Sequence, residues 1–379
     1  MTDLHEAPAA ALADASPHAT PGTTSEAPAL DLDKLMAFVF KAVDEVGATL
    51  NTALVVLGDK LGYYRAMADS RPVSPAQLAH ATGTDEHYVR EWLNGQAAGG
   101  YVDYDAASGT YVLPPEQANA LTEPSSPAYL PGFFQIALGT AHDTDSVVAA
   151  ARNQAGVGWH EHHGDVHEGC ARFFRTMYNA HLVGEWLPAL DDVVAKLEAG
   201  ARVADVGCGH GESTVIMAQA FPRSTFVGSD YHEASIARAR ARAQEAGVAD
   251  RVSFEVAPAQ QLSGQGFDLV TTFDALHDMG DPVGAARRVR RAIADDGTWL
   301  VVEPLSGDTV SDNLNPVGRA YYGFSTLLCT PSSLAQEVGL ALGTQAGPAR
   351  IRDVVTAGGF TRFRTAAQTP FNRVLEVRP

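Results

Sequence analysis

At 379 residues, 45% of them hydrophobic, the chain is long enough for two domains with separate cores. Its formal net charge of −18 argues against nucleic-acid phosphates or an anionic membrane as the main partner, because such surfaces call for concentrated Lys and Arg. Cys170, Cys208 and Cys329 are few and unclustered, so neither a disulfide framework nor a zinc site is expected. No stretch approaches the roughly 20 apolar residues of a membrane span, and no secretory signal opens the chain, so a cytoplasmic location is expected.

Residues 1–29 are rich in Ala, Pro, Thr and Ser and predict a disordered tail. From Leu30 to Met67 apolar residues recur at helical spacing, Leu35, Val39, Val43 and Val46 on one face, then Leu54, Val55, Leu57 and Leu61. Two helices are predicted, serving core or dimer packing. Over 72–114, Ser74-Pro75 opens a short helix (76–82), Thr84 caps a longer one through Trp92 to Ala97, and strands follow at 101–104 and 110–113. Helix-turn-helix plus hairpin predicts a winged helix, assigned to 30–115. Its reading helix sets Asp85, Glu86 and Glu91 against Arg90 alone, which disfavours duplex DNA and leaves dimerisation or an active-site wall.

Residues 116–184 predict a helical linker and pocket segment. Trp159-His160-Glu161-His162-His163, with His167 beyond, is its unusual part. His163 and His167 would share a helix face suited to a metal, but Gly158 and Gly164 interrupt the helix and no matching ligands flank it. Metal, substrate pocket and exposed loop all remain open there, and no metal is assigned. Phe173, Phe174, Met177, Tyr178 and Leu182 make an apolar stripe, core or pocket.

From 185 to 379 strands and helices alternate as in a doubly wound parallel sheet. Val203-Ala204-Asp205-Val206 runs into Gly207-Cys208-Gly209-His210-Gly211, and Glu212 opens a helix ending near Phe221. Glycines at alternate positions let a ligand approach the backbone, and the helix start offers unpaired N–H groups. A second strand ends at Asp230, about twenty residues past the loop, where a carboxylate can accept both ribose hydroxyls. A nicotinamide or an adenosyl cofactor fits that much equally. The spacing is G-x-G-x-G with Asp205 upstream, unlike the G-x-G-x-x-G of dinucleotide binders, and S-adenosylmethionine is the expected cofactor. Further strands are predicted at 252–256, 267–272 and 298–302, helices near 234–246 and 282–294, and a closing hairpin at 359–365 and 372–378. Arg238, Arg240 and Arg242 are spaced by two, so they splay around their helix and are expected to be solvated.

In this order the motifs resemble the class I S-adenosylmethionine-dependent methyltransferases, and with the winged helix they resemble small-molecule O-methyltransferases and related actinobacterial-type enzymes. The resemblance implies an α/β, Rossmann-like seven-stranded core behind an N-terminal helical winged-helix domain. It also implies a small-molecule acceptor, with an aromatic or phenolic compound the candidate, and a homodimer. In such enzymes a His-Asp or His-Asn pair after the fourth strand supplies the base, and a glutamate closing the fifth brackets it. Here His277 and Asp278 fill the first place and Glu303 the second. The resemblance gives the cofactor Asp205, Gly207, Cys208, Gly209, Gly211, Asp230, Tyr231, Ala257, Phe273 and Asp274. For the substrate it offers Trp159, His160, His163, Tyr178 and the polar loop 312–322 with Asn313, Arg319 and Tyr322. Two departures stand out: Ala257 and Gln260 occupy the turn where an acidic residue often meets adenine, and Met279 replaces a common aromatic. The alternatives are an adenosyl-sensing transcription regulator and a non-methyl use of the same cofactor.

Overall fold

Near-continuous apolar runs, buried on both faces, are the signature of parallel strands covered by helices. Arg202–Val206, Thr225–Asp230, Val252–Val256, Phe267–Phe273 and Ile293–Pro304 approach this to different degrees, the central Phe267–Phe273 buried almost throughout and the edge strand Val252–Val256 alternating buried and exposed. They are strands β3 to β7, after the small antiparallel pair β1 (Asp103–Asp105) and β2 (Thr110–Val112). The hairpin β8 (Arg362–Gln368) and β9 (Asn372–Arg378) completes a seven-stranded sheet of order β5-β4-β3-β6-β7-β9-β8, with only β9 running against the rest. The structure, a computed structural model, describes residues 29–379. The expected tail falls almost wholly outside the described residues.

Two apolar layers sandwich the sheet. On one face Leu182, Trp186, Leu197, Met217 and Ile236 pack on Val203, Leu269 and Leu300. On the other, Ala286, Val289, Ile351 and Val355 cover Ala204, Val270 and Val301. Strand order reverses between β3 and β6, which opens a crevice beyond their carboxyl ends, where ligands settle in such sheets.

The helical part has a separate core of Val55, Tyr63, Leu78, Val89, Trp92 and Leu93, which draws in Ala118 and Leu121 beyond the expected boundary at 115. One 30-residue helix, Leu32–Leu61, and a short turn, Tyr63–Ala66, replace the two helices expected there. The break falls at Gly62, whose φ of 74° ends the helix. Asp85 caps the Glu86–Ala98 helix by accepting from the His87 N–H at 2.8 Å, while Thr84 bonds Thr82 instead. The first wing strand starts at Asp103, since Tyr101 continues the turn after Gly100. The described chain divides into two units, one ending at Val46 and one spanning Gly47–Pro379.

Three local expectations are corrected. Gly164 opens a helix (Gly164–Met177) rather than breaking one, and His163 is its cap, accepting from the Asp165 N–H. The segment expected as a loop at 312–322 holds the helix Pro316–Phe324, started by Asn315 and Pro316. Of the three arginines, Arg238 and Arg240 are exposed as expected, Arg240 also donating to the Phe254 carbonyl, whereas Arg242 is half-buried and donates to Glu212.

Candidate functional site

The glycine loop is pinned from behind. Gly207 and Cys208 both donate to the Ser229 carbonyl, at 2.8 and 3.1 Å. Gly207, Gly209 and Gly211 have φ of 75°, 52° and 75°, a region where a side chain costs about 1–2 kcal/mol. A Cβ at Gly207 would meet Ala275, and one at Gly211 would meet Phe254 and Ala239. At Gly209 it would meet no protein atom within 4 Å, so the space there is open.

Asp205 lies beneath this loop. Its carboxylate accepts from Ser213 (2.7 Å), Thr214 (2.5 Å) and Thr271 (2.9 Å), which ties β3 to the following helix and to β6. Burial raises its pKa and the three hydroxyls counter that. With its oxygens so engaged and away from the cavity, Asp205 supports the loop rather than facing a ligand. Asp230, ending β4, accepts from the N–H groups of Gly209 (3.0 Å) and His232 (2.8 Å), and burial raises its pKa despite them.

A cavity opens over these strand ends. Of the expected cofactor residues, Gly207, Cys208, Gly209, Asp230, Tyr231, Ala257, Phe273 and Asp274 line it; Asp205 and Gly211 do not. Ser229 Oγ and His167 Nδ1 are buried in its wall without a hydrogen-bond partner. Open space at Gly209, the Asp230 carboxylate at the strand end and orphaned polar atoms beside a helix start are a set of groups that fits an adenosyl amino acid.

Across the cavity His277, at the end of β6, is almost wholly buried. Its Nδ1 is hydrogen-bonded to Glu303 Oε2, and Glu303 Oε1 accepts from the Leu276 N–H at 3.0 Å. Glu303 lies at the end of β7, and His277 sits in the short turn Leu276–Asp278 just beyond the adjacent strand β6, so the two meet above the strand ends. Nε2 faces Asp278 Oδ1 at 3.2 Å, outside good hydrogen-bond alignment, which leaves that oxygen without a hydrogen bond. Burial works against the imidazolium, but Asp278 and Glu303 outweigh it and raise the His277 pKa well above its usual value. Cys329, pushed up to about 12 by burial and then by Asp278, completes a trio with His277 and Asp278 whose ligand atoms lie within 4.8 Å of one another.

Asp274 follows β6 with φ of 46°, a left-handed conformation uncommon outside glycine, and accepts both amide hydrogen bonds of Asn372 (3.1 and 3.0 Å). Burial, then Glu303, raises its pKa well above the carboxylate range. Aromatic rings close the cavity. Tyr178 lies 5.1 Å from Phe273, and Phe133 lies 5.0 Å from Phe173 and 5.5 Å from Phe324 between ring centres.

Of the expected substrate residues, Trp159 and Tyr178 line this cavity; His160, His163, Asn313, Arg319 and Tyr322 do not. His163 stacks on His142 and His167 on His232, so the histidine run does not converge. Asn313 is buried, bonding Gly307 and the Thr309 carbonyl. Tyr321 lines the cavity in place of Tyr322, because the helix turns that face inward. Sequence reading missed Ser229, Cys329 and Asn372, which carried no signal; His167 was singled out with the histidine-rich run, where metal, pocket and loop stayed open.

A seven-stranded sheet with a ligand crevice at its reversal point, joined to a winged helix, resembles the architecture of two-domain methyltransferases. The comparisons agree: residues 197–323 match the family model described as Methyltransferase domain, and residues 49–123 match the Rv2258c-like winged HTH domain. The chain is similar to a 27-O-demethylrifamycin SV methyltransferase of Amycolatopsis mediterranei, 34% identical over 131 residues, 32% of this chain and 48% of that protein. It spans about half the length of the curated relatives it matches. Among solved structures, a putative O-methyltransferase from Nostoc punctiforme superposes with a TM-score of 0.69 at 20% identity, covering 90% of this chain and 98% of that one. The neocarzinostatin-biosynthesis O-methyltransferase solved with S-adenosyl-L-homocysteine and 1,4-dihydroxy-2-naphthoic acid has a TM-score of 0.57 at 17% identity, covering 86% and 95%.

Proposed function

We propose that the protein methylates a hydroxyl oxygen of a small acceptor, with S-adenosylmethionine as donor and His277 as base. The observation that carries this reading is a buried His277 held by Glu303 across one cavity from the glycine loop and Asp230. The donor, when bound, supplies a methyl group already activated by its sulfonium. The chain's own residues then have three tasks. The loop N–H groups and Asp230 hold the donor's two ends, and the aromatic walls exclude water and orient the acceptor. His277 Nε2 takes the acceptor's proton, with Glu303 keeping Nδ1 protonated and the ring in place. Asp278 Oδ1, buried without a hydrogen bond, is placed to receive that hydroxyl first.

The hydroxylated naphthalene ring in the naphthoic acid complex supports a small aromatic acceptor for this chain. A homodimer is supported by the apolar side chains that the Leu32–Leu61 helix exposes, among them Leu35, Phe38, Phe40 and Val43. No helix among the described residues is long and apolar enough to cross a membrane, which fits the cytoplasmic location proposed here.

The test is to offer an extract of small metabolites with isotopically labelled methyl donor to the purified protein. Labelled product together with S-adenosylhomocysteine is expected, and His277→Ala should lower turnover about 10²–10⁴-fold with donor binding intact. Unchanged turnover in that variant would remove His277 as the base.

A further inference from the structure

The charge lining the cavity is one-sided. Among the described residues that line it there are four acids, Glu212, Asp230, Asp274 and Asp278, and no lysine or arginine. Glu212 is neutralised from outside by Arg175 and Arg242. Asp230 is satisfied by backbone N–H groups, and Asp274 by the Asn372 amide. His277 is the one lining imidazole held charged, and it already faces two carboxylates, Asp278 and Glu303. The other lining histidines, His167 and His210, are pushed towards neutrality by burial, His167 to about 4.

An entering carboxylate would lose its water and find no lysine or arginine, only a His277 already paired with Asp278 and Glu303 and an Asp274 whose burial disfavours a further negative charge. An uncharged ring loses nothing comparable, and an ammonium group would meet Asp278 Oδ1, which lacks a hydrogen bond, and would favour ionisation of Asp274. Resting on the methyltransfer reading above, we infer that the acceptor is an uncharged or amine-bearing aromatic hydroxyl compound and that the Asp274–Asp278 side of the cavity rejects carboxylate-bearing ones. The two aspartates therefore act as specificity determinants in addition to any part in the chemistry. Asp274 stays in place at an unfavourable φ, which keeps its carboxyl at the cavity wall beside Asn372.

Three probes that share one ring system test this: 2-naphthol, 6-hydroxy-2-naphthoic acid and 6-(aminomethyl)-2-naphthol. Each is titrated calorimetrically into the full-length protein, with and without saturating S-adenosylhomocysteine. The neutral and amine-bearing probes are expected to bind at least about tenfold more tightly than the acid. In Asp278→Asn, and in Asp274→Asn where asparagine tolerates the left-handed backbone, the gap between amine and acid should shrink by about tenfold while thermal melting stays cooperative. Equal or tighter binding of the acid overturns the inference, as does failure of all three to bind a protein that binds S-adenosylhomocysteine. Failure to bind S-adenosylhomocysteine would sink the methyltransfer reading instead. The donor-free titrations would still report whether the cavity discriminates by charge.

Discussion

His277 holds more charge than a general base should carry at rest. A neutral imidazole takes a proton; an imidazolium cannot, and the neighbouring Asp278 and Glu303 stabilise the imidazolium. Turnover at saturating substrates is therefore expected to rise with pH through a value well above 6.5, the usual histidine value. Glu303→Gln removes one stabilising charge, so the rising limb should move to lower pH while the maximum falls because the ring loses its anchor. A limb that stays in place would show that another group titrates. The same shift acts on stability: His277's contribution is full below its unfolded pKa and is lost as pH rises through the raised folded value. At this scale the sequence was informative only where a residue abuts a motif. The alternation puts His277 just past one strand and Glu303 at the end of the next, and the family resemblance pairs them. Asp205 sits just before the glycines too, yet three hydroxyls from Ser213, Thr214 and Thr271 claim it, and hydroxyl partners from a neighbouring strand leave no trace in spacing.

The loop and the helix after it act as one element, and two substitutions separate its folding role from its binding role. Gly209→Ala meets no protein atom, so its expected cost to stability is only the left-handed backbone, about 1 kcal/mol, while donor affinity measured by calorimetry should fall at least tenfold. Gly211→Ala drives a Cβ to 2.8 Å from Phe254 and should destabilise by about 2–4 kcal/mol in denaturant titrations. If both variants lose only stability, the open space at Gly209 is no ligand seat. Glu212, first residue of the helix, is the junction of this element with two others: Arg175 reaches it from the Gly164–Met177 helix and Arg242 from the Glu233–Glu245 helix. Glu212→Gln should cost about 2 kcal/mol, the low side for a buried pair because Arg175 is 41% exposed. An unchanged denaturation midpoint would contradict that. The central parallel strands were legible in this half because burial on both faces leaves a mostly apolar run, while the edge strand Val252–Val256 was legible from its alternation. The helix Pro316–Phe324 was not, because its Asn-Pro start sits in a stretch of polar residues that reads equally as a loop.

At the scale of the whole molecule the first half of the Leu32–Leu61 helix is the anomaly. Phe38 and Phe40 are 66% and 68% exposed, with Leu35, Met36, Val39, Val43 and Val46 also open to solvent. An apolar surface of this extent on a chain of net charge −18 needs cover, because charge keeps the protein dispersed but does not hydrate phenyl rings. A second copy brings the same helix and can cover it symmetrically. Apolar association of this kind is insensitive to salt, whereas contacts between two acidic surfaces would strengthen steeply as salt screens them. The full-length protein at about 10 μM is therefore expected to sediment as a dimer at both low and high ionic strength. Phe38→Asp combined with Phe40→Asp places two like charges on each copy and should yield a monomer. Because both rings are solvent-exposed within the chain, the variant's own folding should change by no more than about 0.5 kcal/mol per site. A wild-type monomer, or a dimer that survives both substitutions, would show that this helix is covered by something other than its own copy.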